Sequence, residues 1–143
     1  MQAAEKERGL SIKEVSQKFG ISQDTLRYYE KVGMIPPVTR TAGGIRSYGP
    51  ADQSWVSLAT CMRGAGLPVE VMCEYVKLYR QGDATIRERL QLLIDQRDAL
   101  MNRKKQIEAT LKRLNFKISR YEIAAKTGSL PPLSEEDRKR FDP

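Results

Sequence analysis

TLRYYEKVGMIPPVTRTAGGIRSY, residues 25–48, packs an Arg-Tyr-Tyr run, a glycine, a proline pair and an Arg/Gly/Tyr ribbon into one short segment. Thr25 and Leu26 open a helix that continues through Arg27, Tyr28, Tyr29 and Lys31, with Gly33 placed to cap its end. Successive helical residues point about 100° apart, so this run cannot all face a core. Arg27 and at least one tyrosine must therefore point outward, and guanidinium and phenol groups suit phosphates and base edges. Pro36-Pro37 stops the helix and stiffens the exit. Val38 to Tyr48 carries β-branched and aromatic residues around Ala42-Gly43-Gly44, the pattern of a hairpin or wing. Arg40, Arg46 and Tyr48 would stand on that wing beside the helix as a second clamp on a nucleic-acid backbone.

Upstream, Leu10 to Val15 is a well-formed helix start. Ser11 is the cap, Glu14 completes a capping box, and Leu10 and Val15 have the spacing of a hydrophobic staple. Ile12, Val15 and Phe19 share one face, and Gly20 ends the helix. Ser22 caps the next helix, with Ile21 and Leu26 repeating the staple. Two short helices around a glycine turn make a helix-turn-helix pattern. A hairpin of packing value only is the plainer alternative, and the outward Arg27-Tyr28 face weighs against it.

Downstream, Gly49-Pro50 opens a helix through Trp55, Val56, Leu58, Ala59 and Met62 that Gly64 and Gly66 stop. Pro68 then leads a second, with Val69, Met72, Tyr75, Val76 and Tyr79 at helical spacing. These helices are expected to supply most of the core, with Trp55 buried in it. From Thr85 the pattern changes: Ile86, Leu90, Leu93, Arg97, Leu100, Lys104, Ile107, Leu111, Leu114, Ile118 and Tyr121 alternate steps of four and three. That is a heptad seam held for about five heptads. No glycine or proline interrupts Thr85 to Glu122, which predicts one helix of about 55 Å. Such a stripe calls for a second copy, with Leu90, Leu93, Leu100, Ile107, Leu111, Leu114 and Ile118 as the interface. Arg97 and Lys104 break the apolar seam, as polar residues that fix register do. The expected organisation is a disordered lead-in over 1–9, a DNA-binding domain over 10–82, a dimerisation helix over 83–122 and a flexible tail over 123–143.

Composition narrows the function classes. With 25 Lys+Arg against 18 Asp+Glu, the net charge is +7, which favours a polyanion, nucleic acid before anionic membrane. No run approaches the ~20 apolar residues of a membrane span, and the first residues form no apolar signal segment, so the expected location is the cytoplasm and no membrane partner is called for. Histidine is absent and there are two cysteines, Cys61 and Cys73, too few for a structural zinc site. No phosphate-cradling glycine motif or nucleophile elbow is present. The expectation is no enzyme, no metal and no cofactor.

Thr25, Arg27, Tyr28-Tyr29-Glu30, Gly33, Ile35, Pro37, Arg40, Gly44, Arg46 and Tyr48, in that order, resemble the helix-turn-helix and wing of the MerR family of transcriptional regulators. The resemblance covers about Leu10 to Tyr121, departing at Ile45, where many relatives carry an aromatic residue. It implies a mostly α chain: a winged helix-turn-helix domain followed by a long antiparallel coiled-coil dimerisation helix. It also implies a homodimer on a dyad-symmetric promoter operator, whose bending and untwisting realigns two overly separated promoter elements for RNA polymerase holoenzyme. Such distortion costs on the order of 1–6 kcal/mol, recoverable from backbone contacts. In that arrangement Arg27 and Tyr28 approach base edges or adjacent phosphates. Ser11, Thr25, Tyr29, Lys31, Arg40, Arg46 and Tyr48 hold the backbone, and Lys13 is a further phosphate candidate.

Metal-sensing relatives place a cysteine at the start of the dimerisation helix, where this chain has Asp83-Ala84-Thr85. The better likeness is to the branch with a single sensor cysteine, associated with aldehydes, electrophiles and nitrosative or oxidative stress. Cys61, in CMRGAGLP between two core helices, resembles that cysteine in placement, with Arg63 close enough in sequence to favour its thiolate. Cys73 falls between Val69 and Val76 at helical spacing and is expected to be a buried, inert thiol. A Cys61–Cys73 disulfide would need their Cα atoms within about 7 Å. The competing reading is a repressor or architectural DNA-binding protein with no cysteine sensing.

Overall fold

The computed structural model describes residues 8–141. Helix α1 spans Ile12–Phe19 and α2 spans Gln23–Val32. The capping box at α1 is formed as its sequence predicts: the Glu14 amide donates to Ser11 Oγ (3.1 Å) and the Ser11 amide to Glu14 Oε1 (3.2 Å). Those bonds hold the Glu14 carboxyl below its ordinary pKa, and Arg8 adds an ion pair at 3.0 Å. Ser22 caps α2 by accepting from the Thr25 amide at 3.0 Å. Gly20 and Gly33 end the two helices at φ 66° and 88°, in the left-handed region that a side chain disfavours.

After α2 the chain turns through Pro36-Pro37 into the wing, which among the described residues consists of two isolated antiparallel bridges, Leu10 with Tyr48 and Arg40 with Arg46. The first bridge exchanges two backbone hydrogen bonds of 2.9 and 2.8 Å and ties the end of the wing to the entrance of α1. Helix α3 spans Pro50–Gly64 with proline in its first turn, and α4 spans Val69–Arg80. A single 3-10 turn, Asp83–Thr85, leads into α5, Ile86–Thr127, and α6 spans Glu135–Phe141.

The chain divides into two compact units, one reaching Gln96 and the other starting at Arg97. Val15, Leu26, Met34, Ile35, Tyr48 and Val56 form the fully buried centre of the first, with Ala59 and Met72 from α3 and α4 completing it. The core therefore draws on α1, α2 and the wing as much as on α3 and α4. Trp55, expected to be buried, packs at the core edge between Tyr75 (ring centroids 5.8 Å apart) and Tyr79 (4.9 Å). At the start of α5, buried Thr85 donates to the carbonyls of Leu78 and Gly82 and accepts from Arg89 Nε at 3.1 Å.

Two expected boundaries move. The long helix continues to Thr127 rather than stopping at 122, because no helix breaker occurs before Gly128 (φ 82°). Its 42 residues correspond to about 63 Å. Of the expected flexible tail, residues 123–141 are described and form packed structure: Ser134 caps α6 by accepting from the Asp137 amide (3.1 Å), Phe141 stacks on Phe116 at 4.5 Å, and Arg120 donates to the Pro131 carbonyl, while 142–143 lie outside the described residues. Of the lead-in over 1–9, residues 1–7 lie outside the described residues, while Arg8 pairs with Glu14 and Gly9 passes close to Ser47.

Candidate nucleic-acid interface

Arg27 and Tyr28 both point outward from α2, with the Tyr28 side 47% exposed. The Arg27 guanidinium lies against Asp24 (2.9 Å) and Gln23 (3.4 Å) one turn back, in a pair open to solvent. Lys31 is exposed near the end of the same helix, and Lys13 and Ser11 are exposed at the start of α1. Thr25 is half-buried and shares a hydrogen bond of 2.8 Å with the Ser22 hydroxyl, so it serves first as part of the helix cap.

Two tyrosines expected at the interface belong to the core. Tyr29 is 7% exposed because it lies on the Leu26 side of α2, and its carbonyl accepts from Met34 where the chain leaves the helix. Tyr48 is completely buried because the Leu10 bridge folds the end of the wing under α1. Its hydroxyl is enclosed without a hydrogen-bond partner, and burial pushes its pKa up. A phenol so enclosed does not reach a phosphate.

Arg40 and Arg46 meet on one carboxylate that residue spacing does not single out. Glu30, the only acidic residue between Thr25 and Tyr48, projects from α2 toward the wing with its side chain 12% exposed. It accepts from Arg46 Nε at 2.7 Å and from the Val38 amide at 2.5 Å, with an Arg40 Nη at 3.7 Å. Burial alone would raise its pKa. The Val38 and Arg46 hydrogen bonds and the charges of both arginines outweigh that and hold it below the ordinary carboxylate range. Arg40 also donates to the Gly44 carbonyl at 2.8 Å, closing the wing turn where Gly44 adopts φ 80°. Ile45, at the departure from the family pattern, is 69% exposed on that turn. Helix α2 and the wing are thus joined by an ion cluster centred on the largely buried Glu30 carboxylate.

A family model described as "MerR family regulatory protein" matches residues 11–48, the stretch that holds α1, α2 and the wing. A MerR-family regulator from Listeria monocytogenes has a crystal structure that superposes with a TM-score of 0.78 at 40% identity, covering 93% of this chain and 96% of that one. The chain belongs to the MerR family. A second MerR regulator, HiNmlR, described as lacking the sensor domain and bound to promoter DNA, gives a TM-score of 0.79 at 30% identity over 85% of this chain and 96% of that one. The HTH-type transcriptional regulator AdhR of Bacillus subtilis (strain 168) is 45% identical over 92 residues, 64% of this chain and 66% of that protein. An HTH-type transcriptional regulator of Haemophilus influenzae is 32% identical over 83% of this chain and 88% of its own length. As a MerR-family member the chain is a DNA-binding transcriptional regulator, and its relatives are named as regulators rather than enzymes.

The remaining candidate residues of this MerR protein are its thiols and its seam. Cys61 is exposed on α3 and Cys73 half-buried on α4, and both are free. The Arg63 guanidinium donates to the Leu67 carbonyl at 2.7 Å and shapes the α3–α4 turn. Cys73 donates to the Val32 carbonyl at 3.2 Å, and burial together with the Glu70 charge pushes its thiol up. Leu90, Leu93, Leu100, Ile107, Leu111, Leu114 and Ile118 are each 38–56% exposed on α5. No group of three or more potential metal ligands occurs among the described residues, and no helix there is long and apolar enough to cross a membrane.

Proposed function

We propose that this MerR regulator works in the cytoplasm as a homodimer on a dyad-symmetric promoter operator, distorting it to activate RNA polymerase holoenzyme in response to a thiol-reactive compound. The observation that carries the DNA-binding geometry is the Glu30 cluster, which joins the wing arginines to the helix bearing Arg27 and Tyr28. Each protomer then presents one preformed head. Dimerisation is supported by the apolar α5 seam, whose leucines and isoleucines stay exposed along a helix with no buried residue. An antiparallel pairing of two seams would cover them and hold the two heads at a fixed separation.

The sensing step is assigned to Cys61, the more exposed of the two thiols. Its sulfur adds to an aldehyde carbonyl carbon while the thiol proton passes to the carbonyl oxygen, giving a thiohemiacetal with no change of oxidation state. Cys73 is the poorer nucleophile, because its raised pKa leaves less thiolate at neutral pH. The test is in-vitro transcription from the protein's own upstream promoter with and without a small aldehyde, comparing wild type with Cys61→Ser. Aldehyde-dependent activation lost only in the serine protein is the expected result. Activation unchanged by the substitution refutes the Cys61 assignment and leaves DNA binding standing.

A further inference from the structure

We infer that Glu30 is a positioning residue for DNA binding, which aims the Arg46 guanidinium at the phosphate backbone by occupying its Nε edge. The geometry is specific. Glu30 Oε1 takes the Arg46 Nε proton at 2.7 Å, while Oε2 takes the Val38 amide at 2.5 Å, so both carboxylate oxygens are committed. A guanidinium has five N–H donors in a rigid plane. Holding it by Nε fixes that plane and leaves the Nη donors free for an anion. Arg46 keeps a quarter of its side chain exposed, against 12% for Glu30, so the open part of the pair is the cation. Arg40 lies at 3.7 Å from the same oxygen and is held separately by the Gly44 carbonyl, which makes Arg46 the more dependent of the two.

The buried side of the pair matters for the sign of the effect. A carboxylate beside a DNA-binding arginine would ordinarily weaken phosphate contact by competing for the cation. Here the anion is the less exposed member of the pair and is fixed by a backbone amide, so it orients more than it competes. Without it, Arg46 would be a flexible cation that loses rotamer freedom on meeting DNA.

This inference rests on the reading of Arg46 as a phosphate contact, and the experiment separates the two. Operator affinity of the full-length protein is measured as a function of salt for wild type, Glu30→Gln, Arg46→Ala and the double variant, with thermal unfolding of each as a check on folding. Arg46→Ala should make the log–log salt slope shallower by about 1 per bound protomer. Glu30→Gln, which keeps the shape and an acceptor for Val38, should do the same and lose on the order of tenfold in affinity. The double variant should be no worse than Arg46→Ala. Arg46→Lys keeps the charge without the planar fork, and it should bind like Glu30→Gln.

Several outcomes overturn the proposal. Additive losses in the double variant, or an unchanged slope in Glu30→Gln, would make Glu30 a fold-stabilising residue only. Tighter binding by Glu30→Gln would make it a competitor. Wild-type binding by Arg46→Lys would show that charge alone suffices, a result available even if Glu30→Gln does not fold. An unchanged slope in Arg46→Ala would remove Arg46 from the backbone contacts and this proposal with it.

Discussion

Replacing Arg27 with alanine separates recognition from stability, because the contacts Arg27 makes within the protein are weak ones. Its partners are Asp24 at 2.9 Å and Gln23 at 3.4 Å, and the side chains of the ion pair are 46% and 95% exposed. A solvent-exposed pair of this kind contributes about 0.2–1 kcal/mol, less at physiological salt. Arginine and alanine are both good helix formers, so loss of propensity adds little in the middle of α2. The unfolding midpoint should therefore move by only a few degrees. Against DNA the same guanidinium offers a fork of charged donors, and removal of one good base or phosphate contact costs about 1–3 kcal/mol. That is roughly five- to 150-fold in operator affinity. The assay pairs thermal unfolding with a fluorescence-anisotropy titration on the operator and on a scrambled duplex, at fixed salt. A loss confined to the operator marks a base contact, and an equal loss on both duplexes marks a phosphate contact. Unchanged affinity for both would refute the placement of Arg27 on the reading face.

Three further results are expected. Tyr48→Phe removes a hydroxyl that is buried without a partner, so thermal unfolding should show a neutral or stabilising change of up to about 1 kcal/mol, and a clear loss would reveal a bond to a buried water. The Glu30 carboxyl is held below its ordinary value of 4.5 in the folded state, so its stabilising contribution is complete above the unfolded-state pKa and is lost as pH falls through the folded one. Glu30→Gln should accordingly flatten the acid limb of the unfolding midpoint below pH 4.5, and an unaltered limb relative to wild type would refute the cluster. Leu111→Asp places a carboxylate in the exposed α5 seam, which should shift the protein to monomer in light scattering and weaken operator binding by well over tenfold. A Leu111→Asp dimer of wild-type stability would remove the seam from the interface.

The features legible in the sequence are those decided within one or two helical turns. Ser11 with Glu14, Ser22, and Gly20 and Gly33 all lie within reach of the groups they satisfy, and each occupies its expected role. The long helix is legible for the same reason, since nothing before Gly128 interrupts it. The misread residues depend on contacts distant along the chain. Local spacing requires one of Tyr28 and Tyr29 to face outward but does not say that Tyr28 is 47% exposed and Tyr29 only 7%. That choice is made by the side of α2 carrying Leu26. Tyr48 is buried by a bridge to Leu10, 38 positions earlier, and Glu30 acquires its role from Arg46, 16 positions later. The α6 contact escapes for a similar reason: a polar stretch with two prolines reads as loose until Phe141 finds Phe116.

Burial divides the interface arginines into two kinds, and the division bears on how a MerR head can both grip and read. Arg27 is paired with an almost fully exposed Asp24, whose charge is already well hydrated, so releasing the guanidinium to a base edge or phosphate costs little. Arg46 is paired with a Glu30 that is largely out of water and also fixed by the Val38 amide. Withdrawing Arg46 would leave a shielded carboxylate without its main counter-charge, which is far more costly than breaking an exposed pair. The first arginine is therefore free to adjust to sequence and the second is not. If both arginines contact DNA as proposed, a fixed cation on the wing would set where the duplex backbone lies, and the adjustable one on α2 would meet whichever bases that register presents. On the proposed distortion of the operator, the same carboxylate would resist separation of the wing from α2, so that strain would pass to the DNA rather than into the head.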